Sequence, residues 1–183
     1  MKARELGRRG VVVGDQVGLV GDVSGGPDSL ARIVRVHERR SVLRRTADDT
    51  DPVERVIVAN AEQLVVVASL AEPGARLRLI DRCLVAAYDA GLRPLLCLTK
   101  ADLASPDTVL SHYRALDADH VVIHRGAALD PLVAALHDRV SVLVGPSGVG
   151  KSTLVNRLVP GAARATGAVN AVTGRGRHTS TSA

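Results

Sequence analysis

The chain of 183 residues has no phenylalanine, no tryptophan and only two tyrosines. Proteins that hold single nucleic-acid strands in a barrel usually stack bases on aromatic side chains, and residues 11–45 contain none, so generic single-strand binding by that segment is not expected. Cysteine is equally scarce. Cys83 and Cys97 are the only two and lack metal-ligand spacing, so they read as buried apolar residues of a cytoplasmic protein rather than a disulfide framework. No apolar run approaches the ~18 residues of a membrane span, and the basic N-terminus lacks the apolar core of a signal peptide. Lysine is the most telling shortage. Of 24 basic residues only Lys2, Lys100 and Lys151 are lysines. Arginine and lysine are not interchangeable at tight sites, so Lys100 and Lys151 draw attention before any motif does.

What remains is ample for a core: 46% of the residues are hydrophobic and 23% charged, a globular balance. The net charge of +5 is concentrated at the two ends, in residues 1–45 and 164–183, as expected of contact with an anionic partner such as nucleic acid.

Val11–Val13, Val17–Val20, Ala31–Val36 and Ser41–Arg45 are β-branched runs separated by Gly-Asp turns, which predicts a small OB-like β-barrel. Arg39, Arg40, Arg44 and Arg45 are its candidate contacts to phosphates or folded RNA. Residues 46–54, acidic and broken by Pro52, predict an exposed linker, with domains 1–50 and 51–183 on either side. Beyond it strands alternate with helices. Val56–Val58, Leu64–Val67, Pro94–Leu98, His120–Ile123 and Val140–Val144 are the strands. Helices are expected over 76–90, with Leu77, Ile80, Leu84, Ala87 and Tyr88 on the inner face, over 106–116, and around Leu129–Leu136. This alternation predicts a mostly parallel sheet with helices on both faces, an α/β fold.

Gly145, Pro146, Ser147, Gly148, Val149, Gly150, Lys151, Ser152 and Thr153 follow a predicted strand, lead into a helix and fit G-x-x-x-x-G-K-[ST] at every fixed position. Such a loop turns backbone N–H groups and a helix N-terminus onto a polyphosphate. Lys151 reaches the β- and γ-phosphates and the Ser152 hydroxyl ligates Mg²⁺. Thr99, Lys100, Ala101 and Asp102 end a buried strand, where open α/β sheets bind ligands. A carboxylate there accepts from both N1–H and the exocyclic amine of guanine, a pair adenine does not offer. Lys100 is expected to lie along the nucleotide and tie this loop to the phosphate loop, with Thr99 bracing it.

Asp102 stands 43 residues ahead of Gly145, the reverse of the usual GTPase order. With a basic barrel in front, with Val58–Gln63 and with Gly176-Arg177-His178-Thr179-Ser180-Thr181 behind, the chain resembles the ribosome small subunit-dependent GTPase A family (RsgA, also called YjeQ). The resemblance implies a circularly permuted P-loop GTPase domain preceded by an OB-like β-barrel. It implies Mg²⁺-dependent hydrolysis of GTP to GDP and phosphate, late assembly of the small (30S) ribosomal subunit, and stimulation by that subunit. The expected partners are the subunit, its 16S rRNA and a guanine nucleotide, with no membrane; the protein is expected to be a cytoplasmic monomer. Thr179 or Thr181 would join Ser152 on Mg²⁺, and His178 would position the attacking water. Lys151 is the other candidate catalytic residue. Three departures accompany the resemblance. No D-x-x-G occurs in the 30 residues after Thr153, the family's Cys/His zinc site is not present in this chain, and Ile123-His124-Arg125-Gly126 lacks the small residues that usually support guanine. The chain thus looks cut off within switch I, and hydrolysis below the family's rate is expected of it. The competing readings are a different permuted ribosome-assembly GTPase, an RNA-binding module with a catalytically idle nucleotide fold, and an ATP-specific phosphate-loop protein.

Overall fold

The computed structural model describes residues 10–48, 51–116 and 118–162, without the side chains of residues 45–48 and 51–54. The chain divides into two compact units, Met1–Ala61 and Glu62–Ala183.

In the first unit β1 (Val17–Gly21) pairs antiparallel with β2 (Ala31–Val36), with a register shift between Gly18 and Leu19. A second antiparallel pair joins β3 (Val42–Asp48) to β4 (Asp51–Ala59), and Val13 bridges to Val58. The β-branched runs therefore form strands as expected, and two differences stand out. The linker expected at 46–54 and the boundary at 50/51 fall inside the β3–β4 hairpin, and Val56–Val58 belongs to the first unit rather than opening the second. Acidic composition broken by proline suits a linker, but the cross-strand pairing of Thr46 with Glu54 and of Asp48 with Asp51 puts these residues in strands. Arg39 is also not a loose cation. Its Nε and Nη2 donate to the two carboxylate oxygens of Asp15 at 2.7 and 2.8 Å, and Nη2 reaches the Gly10 carbonyl at 3.1 Å. The paired guanidinium holds the Asp15 carboxyl below its ordinary range. Asn60, buried and in left-handed backbone at φ 57°, closes the unit: its side chain accepts from the Arg40 amide and donates to the Gly14 carbonyl, both at 2.8 Å.

The second unit runs β5 (Gln63–Ser69), α1 (Leu77–Asp89), β6 (Arg93–Thr99), α2 (Asp107–Tyr113), β7 (Asp119–Ile123), α3 (Asp130–Leu136), β8 (Ser141–Val144) and α4 (Lys151–Leu158). The strands form one parallel sheet in the order β7-β6-β5-β8. Alternate residues of each strand point to opposite faces. Val65, Val67, Leu95 and Cys97 pack with Leu129, Leu132, Val149 and Leu154. Leu64, Val66, Leu96 and Leu98, also buried, therefore face the other side, where α1 covers β5 and β6 with Ile80, Leu84 and Ala87. Burial on both faces explains the unbroken apolar run of β5. Cys97 lies in this core and burial pushes its thiol up to about 12, so it behaves as a small apolar residue.

Helix α1 keeps the expected inner face except at Tyr88, which is 48% exposed. At about 100° per residue it lies a quarter turn beyond Ala87, at the margin of the buried stripe. Helix α2 is shorter than expected. The Ser105 hydroxyl accepts the Asp107 amide at its start, and near its end Tyr113 donates to the Asp81 carboxylate at 2.7 Å, tying α2 to α1. Strand order matters most for function. The chain steps from β5 to β6 to β7, then returns to place β8 on the free side of β5. At that reversal a crevice opens beyond the carboxyl ends of the strands.

Candidate functional site

The phosphate-loop residues leave β8 at the crevice. Gly145 has φ 153°, and a Cβ there would stand 2.3 Å from the Val67 carbonyl oxygen, so no side chain fits where the loop crosses β5. Gly148 and Gly150 are left-handed at φ 84° and 95°, which lets the loop curl round and enter α4. Between them Val149 drives its side chain into the core with no exposed surface, so the loop is pinned from below. The first helical bond of α4 runs from the Leu154 amide to the Gly150 carbonyl at 2.9 Å. The amides of Lys151, Ser152 and Thr153 precede it, at the positive end of the helix dipole. Lys151 Nζ donates to the carbonyls of Gly145 and Pro146 at 2.8 and 2.7 Å. Its ammonium is therefore held over the loop, and partial burial lowers its pKa.

Thr99, Lys100, Ala101 and Asp102 leave β6 on the same edge of the sheet, one strand beyond β5. Thr99 is buried, and its hydroxyl donates to the Val149 carbonyl at 2.8 Å, with Ala68 O at 3.4 Å. The tie to the phosphate loop expected of Lys100 is thus made by Thr99. Lys100 sits in left-handed backbone at φ 59°, and its ammonium bonds the Glu72 carbonyl of the β5–α1 loop. The Ala101 amide reaches the Ile123 carbonyl at 3.2 Å. Asp102 is exposed, and its Oδ1 accepts the Arg125 amide at 2.9 Å. That bond, then its own amide, hold the carboxyl below its ordinary range, and the Arg125 and His124 side chains add to the effect. Asp102 is consequently an anion with acceptor capacity at neutral pH, as a reader of paired N–H donors must be.

Replacing Thr99 by valine keeps the β-branched shape and leaves the Val149 carbonyl without its bond. A buried acceptor stranded in this way costs about 1–3 kcal/mol. The urea midpoint of Thr99→Val is expected to fall accordingly, with Thr99→Ser recovering most of it. An unchanged midpoint would show that the tie carries no load.

The loop after β7 contributes through its backbone. Besides the Arg125 amide, the Ala127 amide closes a turn onto His124 O at 3.2 Å, and Arg157 of α4 bonds the Ala127 carbonyl. The bulky His124 and Arg125 therefore do not prevent the loop from bracing Asp102. Sequence reasoning missed this because the contact is an amide, and every residue but proline has one. It also missed Arg76, which lines a small, mainly apolar cleft with Ser69, Gly145 and Pro146.

His178, Thr179 and Thr181 lie outside the described residues. Ser152 stands in the first turn of α4, half-buried beside the loop. Among the described residues no group of three His, Cys, Asp or Glu side chains could hold a metal, and no helix is long and apolar enough to cross a membrane. A single hydroxyl beside a polyphosphate cradle fits Mg²⁺, which takes one or two protein oxygens and completes its shell with phosphate and water.

The family model described as RsgA GTPase matches residues 36–183. The small ribosomal subunit biogenesis GTPase RsgA of Azotobacter vinelandii is 43% identical over 182 residues, covering 94% of this chain and 51% of that protein. Its namesake in Nitrosomonas europaea is 39% identical over 184 residues, covering 95% and 55%. The chain thus spans about half the length of these curated relatives. Among solved structures, YjeQ from Thermotoga maritima superposes with a TM-score of 0.64 at 27% identity, covering 88% of this chain and 55% of that one. YloQ, a circularly permuted GTPase, gives 0.59 at 28% identity, covering 83% and 51%. The fold is accordingly that of a circularly permuted P-loop GTPase domain, preceded by antiparallel strands consistent with an OB-like part.

Proposed function

Because the chain belongs to the RsgA GTPase family, we propose that it binds GTP and GDP in the crevice between Gly145–Thr153 and Thr99–Asp102. It hydrolyses GTP in the maturation of the small ribosomal subunit. One observation carries the reading: the buried Thr99–Val149 bond fastens an anionic Asp102 loop and a glycine-built phosphate loop to one crevice. Asp102 accepts the paired donors of guanine, and the phosphate-loop amides with Lys151 take the phosphates. Ser152 would hold Mg²⁺ through its hydroxyl, and the ion would supply neutralising charge beside the phosphates; the protein contributes position and electrostatics. The roles of His178 with the attacking water and of Thr179 or Thr181 on the metal belong to the same reading, as do 16S rRNA as partner, a cytoplasmic location and a monomeric state.

Phosphate release from GTP, followed with and without purified small subunits, tests the proposal. Turnover that rises with the subunits supports it. Subunit binding that ignores nucleotide, with no turnover at any subunit concentration, would favour an RNA-binding module over an enzyme.

A further inference from the structure

The outer face of α1 takes no part in the nucleotide site. Ile80, Leu84 and Ala87 bury the inner face. Arg78, Arg82 and Val85 stand in line on the outer one, at spacings of four and three residues. Val85 is 67% exposed, and Tyr88 flanks it at 48%. Neither guanidinium has an acidic partner among the described residues. Asp81, the acid beside them, is engaged by the Tyr113 hydroxyl, and Asp89 lies at the far end of the helix. The chain has only two tyrosines and no phenylalanine or tryptophan. Tyr113 is buried and its hydroxyl is bonded to the Leu77 carbonyl and Asp81. Tyr88 is therefore the only exposed tyrosine among the described residues, and it lies at the edge of an open helix face that carries two arginines without acidic partners.

We propose that this face docks single-stranded RNA, with Arg78 and Arg82 on successive phosphates and the Tyr88 ring stacked on an unpaired base. The inference rests on the reading that the small subunit is the partner, and adds which surface meets its RNA and in what form. One helical turn puts the two guanidinium stems about 6 Å apart, so both serve one strand. Guanidinium groups recognise phosphate through a planar fork. A tyrosine left half in water beside them matches unpaired RNA, whose bases are free to stack. Double-helical RNA would give the ring nothing to stack on.

The test compares Arg78→Ala/Arg82→Ala, Tyr88→Ala and Tyr88→Phe with the unaltered chain. The probes are purified small subunits and a mixed-sequence single-stranded RNA oligonucleotide. Guanine-nucleotide affinity, followed in the same samples, stays unchanged throughout, so a failure of the nucleotide site shows separately. The double arginine variant is expected to bind both probes at least tenfold more weakly. Its slope of log K against log salt should be shallower by about 1.4, at ~0.7 per phosphate lost. Tyr88→Ala is expected to lose about 5- to 150-fold, the range for one base–aromatic stack. Tyr88→Phe, which keeps the ring, stays within twofold. Equal binding by all forms overturns the proposal. So does weakened binding to subunits with unchanged binding to the oligonucleotide, which would assign the face to a protein. An unaltered chain that binds nucleotide but neither probe overturns it together with the ribosomal reading.

Discussion

Replacing Asp102 by asparagine is expected to convert a guanine site into a xanthine site. The carboxylate accepts from two donors on the base; asparagine keeps one acceptor and turns an N–H₂ donor towards the other. Hydrogen bonds to a charged group contribute about 1.5–3 kcal/mol each. Losing one of them, and setting a donor against a donor in its place, therefore raises the Kd for GDP by about 10- to 10²-fold or more. Xanthine carries a carbonyl where guanine carries the amine, so the same substitution restores a matched pair for xanthosine diphosphate. The fold should not suffer. Asp102 is exposed, and the asparagine oxygen can still accept the Arg125 amide. Calorimetric titration with both nucleotides, beside a thermal melt, checks all three parts. A loss of GDP affinity with no gain for the xanthine nucleotide would mean that Asp102 supports the loop rather than reads the base.

The second large effect belongs to Lys151, where alanine is expected to weaken GDP and GTP together by about 10²-fold or more. Removing one preorganised electrostatic donor from such a site costs about 3–4 kcal/mol. The ammonium already lies between the Gly145 and Pro146 carbonyls, so its position is set by the loop itself. Burial lowers its pKa, meaning that the fold holds this charge against desolvation, and stability should change little when it goes. Arginine is not expected to substitute, because a planar guanidinium does not fit between two carbonyls that a compact ammonium bridges. The preference for guanine over adenine should survive in Lys151→Ala, since the base is read at β6. Weakening confined to one base would contradict this division of labour.

These two sites were the most legible parts of the sequence, and the reason is physical. Each depends on side-chain types that have no common substitute at their position: glycine where a Cβ would strike Val67, a compact cation, a paired acceptor. The parallel sheet was legible through its periods, with Ile80, Leu84 and Ala87 marking one helix face and β5 too apolar to meet water on either side. Partnership between distant groups was not legible. Arg39 read as a cation for phosphates until Asp15 was seen to hold it. The paired ends of β3 and β4, acidic and broken by Pro52, read as a linker because pairing leaves no mark on composition. Thr99 and Lys100 exchanged parts, since a sequence shows the loop but not which side chain points down towards Val149. The Arg125 amide on Asp102 had no signal at all.

That one crevice takes both guanine and its phosphates is tested most directly by competition at equilibrium. A fluorescent GDP analogue is bound to the chain in the presence of Mg²⁺ and displaced in turn by GDP and ADP. GDP is expected to displace it at concentrations at least about 10³-fold lower than ADP, as hydrogen-bonded base selection allows. Displacement by both at the same concentration would contradict the claim.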